Sequence, residues 1–155
     1  MVGEGESRRV AATNDGMLSC VPDLSDMRKQ YHFWPSAVGD GFDAWDVDRL
    51  IALAAELPVE QVDVESIDEV DSVYWFDDVQ RPTVRAVIEH ARLIDEVDAS
   101  HPIILGPDGR VMDGMHRIAR ALRDGRSHVD ARRLPTLPPP DHRNARADEL
   151  PYERD

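Results

Sequence analysis

The stretch RVMDGMHRIARALRDG, Arg110–Gly125, carries the strongest structural signal in this sequence of 155 residues. Its apolar positions recur at helical spacing: Met115, Ile118, Ala119 and Leu122. That pattern predicts a helix with one buried side, which Gly125 ends in a left-handed cap. Just upstream, HPIILGPDGRVMDG predicts a hairpin whose PDG turn joins strands at Ile103–Leu105 and Arg110–Met112.

The junction between this hairpin and the helix has the composition of an anion site. A helix N-terminus leaves its first backbone N–H groups unpaired and carries partial positive charge, and here it follows Gly114 and includes His116 and Arg117. Each residue also has a structural explanation. Gly114 could be a turn glycine without a ligand, Arg117 could pair with Asp113, and His116 could cap or pack.

The overall charge of the chain narrows the classes of partner. The formal net charge is −13, with 41% hydrophobic and 32% charged residues. A phosphate polymer or an anionic membrane would be repelled over most of such a surface. The sequence shows no secretory leader and no run of about 18 apolar residues, which predicts a cytoplasmic protein without a membrane span.

The first part of the chain predicts a lead-in and an aromatic segment. Residues 1–30 lack a sustained period and are expected to be disordered. Residues 31–57 combine the irregular stretch YHFWPSAVGDGF with a helix in DVDRLIALAAEL, capped by Asp46 and ended by Pro58. Aromatic side chains are costly in water, so this segment is expected to pack on the core or to form a homodimer.

Residues 58–134 are expected to form the main domain, followed by a Pro-rich and polar tail at 135–155. A half-buried strand in VEQVDVESIDEV precedes a helix that Pro82 begins, and HVDARRL predicts a final strand. The buried stripe of that helix is predicted from its apolar residues: Val84, Val87, Ile88, Ala91, Ile94 and Val97. The predicted fold class is α+β, a mixed β-sheet with helices packed on it and a phosphate-site helix after a β-hairpin.

The segment PIILGPDGRVMDGMHRIARALRDG, with VDVESIDEV and RPTVRAVIEHARLI, resembles the ParB/sulfiredoxin superfamily over residues 58–134. This superfamily includes the N-terminal domain of chromosome-partitioning ParB proteins, sulfiredoxin and the free serine kinases. The resemblance implies that Gly114, Met115, His116 and Arg117 bind the phosphates of ATP or another nucleotide, together with Mg²⁺. It also implies a catalytic carboxylate, for which Asp113 is the metal or hydroxyl contact and Glu69 or Asp71 the base. His116 is a further catalytic candidate, because an imidazole that titrates near neutrality can act as donor, acid or base.

The departures from each relative limit the expected activity. Sulfiredoxins carry a reactive Cys in GCHR, whereas Met115 stands at that position here, so sulfiredoxin activity is not expected. The serine kinases read DGHHR, of which Asp113, Gly114, His116 and Arg117 are matched. The GERR-type box of ParB proteins is absent from this turn.

Three function classes follow from these observations. The first is a phosphotransferase or nucleotide hydrolase that uses Mg-ATP and a small-molecule substrate. The second is a non-catalytic, nucleotide-dependent switch or interaction module. The third, a DNA-binding or nuclease protein, is opposed by the charge. His90 is assigned to structure rather than chemistry, because it has no partner at metal-ligand spacing. Trp75 belongs to an aromatic set that is expected in the core, with two alternatives open: one ring could hold an adenine or close a dimer.

Overall fold

The computed structural model describes residues 29–153, which form a small α+β protein. Almost all of the predicted lead-in at 1–30 therefore lies outside the described residues. The described residues divide into two compact units, one containing 29–49 with 139–153 and the other containing 50–138. The second unit contains the whole of the predicted domain at 58–134.

Residues 29–153 contain seven strands and three α-helices. The strands are β1 (Tyr31–Pro35), β2 (Phe42–Asp46), β3 (Glu60–Asp63), β4 (Ile103–Leu105), β5 (Val111–Asp113), β6 (His128–Arg133) and β7 (His142–Ala145). The helices are α1 (Val47–Ala54), α2 (Val84–Glu96) and α3 (Met115–Arg123), with short 3₁₀ helices at Val64–Ser66, Asp68–Asp71 and Ala147–Glu149. Within the described part of the chain, none of the helices has the length and apolar character needed to cross a bilayer.

The unit containing residues 29–49 is built on an antiparallel sheet in the order β1-β2-β7. Where the sequence predicts an irregular aromatic segment, the structure has a β1–β2 pair whose rings contact one another, with Trp34 and Trp45 centroids 4.9 Å apart. The predicted tail supplies β7, and the Tyr31 hydroxyl donates to the Pro151 carbonyl at 2.7 Å. The expected homodimer through this segment stays a prediction.

The unit containing residues 50–138 carries a second sheet, in the order β3-β6-β4-β5. This sheet is mixed, as predicted, because β4 pairs with β6 in parallel and the other pairs are antiparallel. The β1-β2-β7 sheet of the other unit is an addition to this prediction, because the sequence indicated an irregular segment and a tail there. The core beneath the mixed sheet includes Val64, Ile103, Leu105, Val111 and Ile118.

The predicted hairpin and the helix after it are both confirmed. Strands β4 and β5 pair antiparallel, and Gly106 N–H donates to the Arg110 carbonyl at 2.8 Å across the turn. Helix α3 follows directly and ends before Gly125, whose φ of 73° is left-handed. Met115, Ile118 and Ala121 are buried, whereas Leu122, predicted in the stripe, is exposed.

Helix α2 departs from the sequence prediction in its start and in its buried face. It begins after Thr83, whose hydroxyl accepts from Ala86 N–H at 3.1 Å, rather than at Pro82. Its buried residues are His90 and Leu93. The prediction of a buried apolar stripe is wrong for three side chains whose exposed fractions are substantial: Val84 78%, Val87 49% and Ile88 60%. The reason is that His90 occupies the buried face, where its ring has partners described below.

Candidate functional site

Gly114 forms the turn between β5 and α3, and its conformation favours glycine over any residue that has a Cβ. Its φ is 111°, and a Cβ built there would lie 2.7 Å from Ile103 Cγ2. Its carbonyl accepts from the N–H groups of Arg117 and Ile118, both at 3.0 Å. The N–H groups of Met115 and His116 are the first of the helix and have no intrahelical acceptor, so the positive end of α3 begins at this turn.

Met115 contributes to this turn through its backbone alone. Its side chain is buried in the core cluster of the mixed sheet, together with Ile118. The thioether is therefore a packing group, as the helical spacing indicates. The backbone N–H is therefore the one group of Met115 that lies at the helix N-terminus.

The Arg117 guanidinium forms hydrogen bonds within its own domain. Its Nη2 donates to Asp113 Oδ2 at 2.8 Å, and its Nη1 donates to the carbonyls of Pro102 at 2.8 Å and His101 at 3.1 Å. The Nε–H and the second hydrogen of Nη2 have no acceptor within residues 29–153. Arg117 thus fixes the start of α3 to the segment before β4 and retains limited donor capacity.

Asp113 lies in a buried setting beside this guanidinium. Burial raises the pKa of the Asp113 carboxyl, and the charge and hydrogen bond of Arg117 oppose that rise. No group of three or more His, Cys, Asp or Glu side chains in the described part of the chain could hold a metal ion. The described residues therefore do not form a complete set of protein ligands for Mg²⁺. One oxygen of Asp113 already accepts a hydrogen bond from Arg117.

Two histidines meet at the start of α3, and the sequence did not indicate their contact. His90 Nδ1 and His116 Nε2 are 3.0 Å apart, within hydrogen-bond distance. Their rings are 13° from parallel with centroids 5.2 Å apart, and each stacks on Trp75, at 4.5 Å for His90 and 4.7 Å for His116. If the two imidazoles lay on opposite faces of the indole, their centroids would be about twice as far from each other as they are. The two rings, here called the histidine pair, therefore lie edge to edge on one face of Trp75.

The histidine pair is neutral at physiological pH. Burial lowers the pKa of His90 to about 4, with Glu89 opposing the shift. Burial, together with smaller effects of the neighbouring His90 and Arg117, lowers the pKa of His116 to about 3. One N–H lies in the hydrogen bond between the rings, so one outer nitrogen carries a proton and the other a lone pair. The pair can therefore accept a proton from a ligand at the outer nitrogen that carries the lone pair, and it can donate a hydrogen bond from the other.

Of the two predicted base carboxylates, the structure places Glu69 near the turn and Asp71 away from it. Glu69 Oε2 accepts from Val111 N–H at 2.8 Å, which places Glu69 against the strand that ends at Asp113. Burial raises the pKa of Tyr74, and the charges of Glu69 and Asp113 add to the rise, so this phenol stays protonated. Asp71 is exposed, and no described contact joins it to the turn.

The local sequence pattern assigned His90 and Trp75 to structure, and only the fold shows that they belong to this site. One signal could have indicated His90: it shares a helical face with Ala86, Leu93 and Val97, none of which is exposed. Comparisons with models of protein families, with curated proteins and with solved structures found no match for this chain.

Proposed function

We propose that residues 50–138 form a ParB/sulfiredoxin-like domain that binds the phosphate groups of a nucleotide such as ATP at the Gly114–Arg117 turn. The observation that carries the proposal is the convergence at one helix start of a left-handed glycine, a guanidinium and a neutral imidazole. These are complementary to a phosphate group, since the turn presents the N–H groups of Met115 and His116, the guanidinium and imidazole add side-chain N–H donors, and the helix start and the guanidinium supply positive potential. The order of elements from β3 to β6 supports the relationship.

The proposed reaction is phosphoryl transfer to a small-molecule hydroxyl, or hydrolysis by water. The N–H groups of Met115 and His116 hold an oxygen of the phosphate, and Arg117 directs its remaining donors to the same group. The histidine pair takes the proton of the attacking hydroxyl at its free outer nitrogen. The charge that results is shared across the hydrogen bond between the rings. Mg²⁺ would be bound chiefly by the nucleotide phosphates, where it neutralises their charge, with Asp113 as the available protein ligand.

A bound anion also makes the histidine pair a better base. An imidazole with a pKa of about 3 or 4 accepts protons poorly near neutrality. A phosphate within a few ångströms favours the protonated form and raises that pKa, because opposite charges attract strongly in a buried site. Nucleotide binding and proton uptake are therefore coupled in this proposal.

A second candidate is a nucleotide-dependent switch without turnover. The observation that favours it is the use of Arg117 as a structural tie to Asp113 and to the carbonyls of His101 and Pro102. A phosphate that recruits this guanidinium away from its present partners would release the segment before β4. Turnover separates the two candidates, since only the enzyme releases ADP or phosphate.

The test is calorimetric titration with ATP, ADP, CTP and GTP, each with and without Mg²⁺. Arg117→Ala would leave Asp113 buried without its partner, so the informative variant is Asp113→Asn combined with Arg117→Gln, which removes both charges together. We expect its nucleotide affinity to fall at least about tenfold, while thermal unfolding shows that it still folds. Arg126→Gln, at an exposed arginine just after α3, is the matched control and should bind as the natural chain does. Equal affinity in the double variant would place the ligand elsewhere.

A further inference from the structure

Helix α2 presents an apolar face that its own domain does not cover. The face consists of residues spaced three and four apart, all exposed: Val84, Val87, Ile88 and Ala91. The opposite side of the helix buries His90 and Leu93 against the candidate site. An amphipathic helix normally turns its polar side to solvent, whereas α2 exposes apolar side chains while its opposite side is buried, which is typical of a helix that contacts two partners.

The charges at the two ends of α2 have an unusual polarity. Arg81 and Arg85 lie at the N-terminal end, are exposed, and have no ion-pair partner within residues 29–153. Asp95, Glu96 and Asp98 lie at the C-terminal end and are also exposed. The helix dipole favours the reverse arrangement, acids at the start and bases at the end. Glu96 pairs with Arg92 at 2.8 Å, Asp95 pairs with Arg123, and Asp98 contacts His101 at 3.2 Å, which offsets part of the C-terminal charge.

We infer that the apolar face of α2 is a homodimer interface on which α2 of a second copy packs antiparallel. Antiparallel packing places the basic end of each helix over the acidic end of the other, and it also opposes the two helix dipoles. The two-fold axis passes between Val87 and Ile88, which sets Val84 opposite Ala91 of the partner. A second copy is the occupant that fits, because the surface is complementary to itself in both charge and apolar pattern.

The dimer is weak and concentration-dependent rather than obligate. Helix α2 has 13 residues and is about 20 Å long, and a standard stable interface buries about 1,600 Å². Four aliphatic side chains from each copy cover a fraction of that area. This surface is separate from the aromatic segment at residues 31–57, so the two proposals for self-association can be distinguished by mutation.

Sedimentation equilibrium of the full chain over a range of concentrations tests the interface. Ile88→Asp places a charge at the centre of the contact, and we expect it to weaken the dimer at least about tenfold. Ile51→Asp, at a similarly exposed isoleucine on α1, is the matched control and should leave the dimer unchanged. Arg81→Glu with Arg85→Glu should weaken the dimer because like charges then face each other.

Crosslinking tests the antiparallel direction. In a chain in which Cys20→Ser removes the native thiol, Val87→Cys should crosslink to itself across the two-fold axis. Val84→Cys should crosslink when mixed with Ala91→Cys and not when alone. Efficient crosslinking of Val84→Cys to itself would contradict the antiparallel arrangement.

Two results overturn the proposal outright. One is a dimer that Ile88→Asp leaves intact, which places the interface elsewhere. The other is a monomer at every concentration. In that second case, an intramolecular crosslink between Val87→Cys and the native Cys20 would identify the chain's own N-terminal segment as the occupant of this face.

Discussion

Substitution of Gly114 by alanine tests the geometry of the turn on which the candidate site is built. Two penalties apply in the folded state. A left-handed conformation costs an L-residue roughly 1–2 kcal/mol. The new Cβ would also lie 2.7 Å from Ile103 Cγ2, 2.9 Å from its Cβ and 3.2 Å from its Cα. Overpacking of this kind costs typically about 1–3 kcal/mol.

The contact cannot be relieved by a change of rotamer at Ile103. Two of the three nearest atoms are its Cβ and Cα, which move only with the backbone of β4. We therefore expect Gly114→Ala to lower the free energy of unfolding by about 2–5 kcal/mol, the sum of the two penalties.

Gly125→Ala is the matched control for this measurement. Gly125 has a φ of 73°, and a Cβ there would meet nothing within 4 Å, so it has the conformational penalty without the clash. Both substitutions reduce the entropy of the unfolded chain equally, and that effect cancels in the comparison. Urea denaturation should show Gly114→Ala to be less stable than Gly125→Ala by about 1–3 kcal/mol. Equal losses would refute the close contact between the turn and β4.

Three further predictions concern stability. Folding lowers the pKa values of the histidine pair. Its contribution to the free energy of unfolding is therefore fully present above the unfolded pKa of about 6.5 and is lost as pH falls toward about 4. Urea titrations at about pH 7 and pH 5 should give free energies of unfolding that differ by roughly 2–4 kcal/mol, and His90→Phe should flatten that pH dependence. Glu69→Ala should cost about 1–3 kcal/mol because Val111 N–H loses its acceptor, whereas the exposed Asp71→Ala should change stability by less than about 0.5 kcal/mol; similar losses would contradict the contact. Arg117→Ala should destabilise by about 3–5 kcal/mol by leaving Asp113 unpaired, and a small loss would mean that the pair is open to solvent.

Local patterns in the sequence were sufficient to predict the elements closest to the site. The hairpin of β4 and β5, the glycine turn and α3 each depend on residues that are neighbours in sequence. The pairing of β2 with β7 joins Phe42 to Ala145, and no local pattern encodes a contact at that separation. The polar composition of the C-terminal segment therefore predicted a tail where the structure has a strand.

The histidine pair could not be predicted for two physical reasons. Trp75, His90 and His116 come from a loop, α2 and α3, so only the tertiary fold brings their rings together. A histidine also counts as polar in a periodicity analysis, although a neutral imidazole stacked on an indole is buried readily. Because His90 was counted as polar, the predicted buried face of α2 lay on Val84, Val87 and Ile88, which are exposed.

The most direct test of nucleotide-phosphate binding is calorimetric titration with ATP and Mg²⁺ in buffers of different ionisation enthalpy. A phosphate beside the histidine pair should raise its pKa, so binding should be accompanied by fractional proton uptake that is larger at about pH 6 than at about pH 8. His116→Asn should abolish the uptake. Binding without proton uptake would place the phosphate away from the histidine pair. Absence of heat and of a thermal shift with ATP, ADP, CTP and GTP would contradict the proposed function itself.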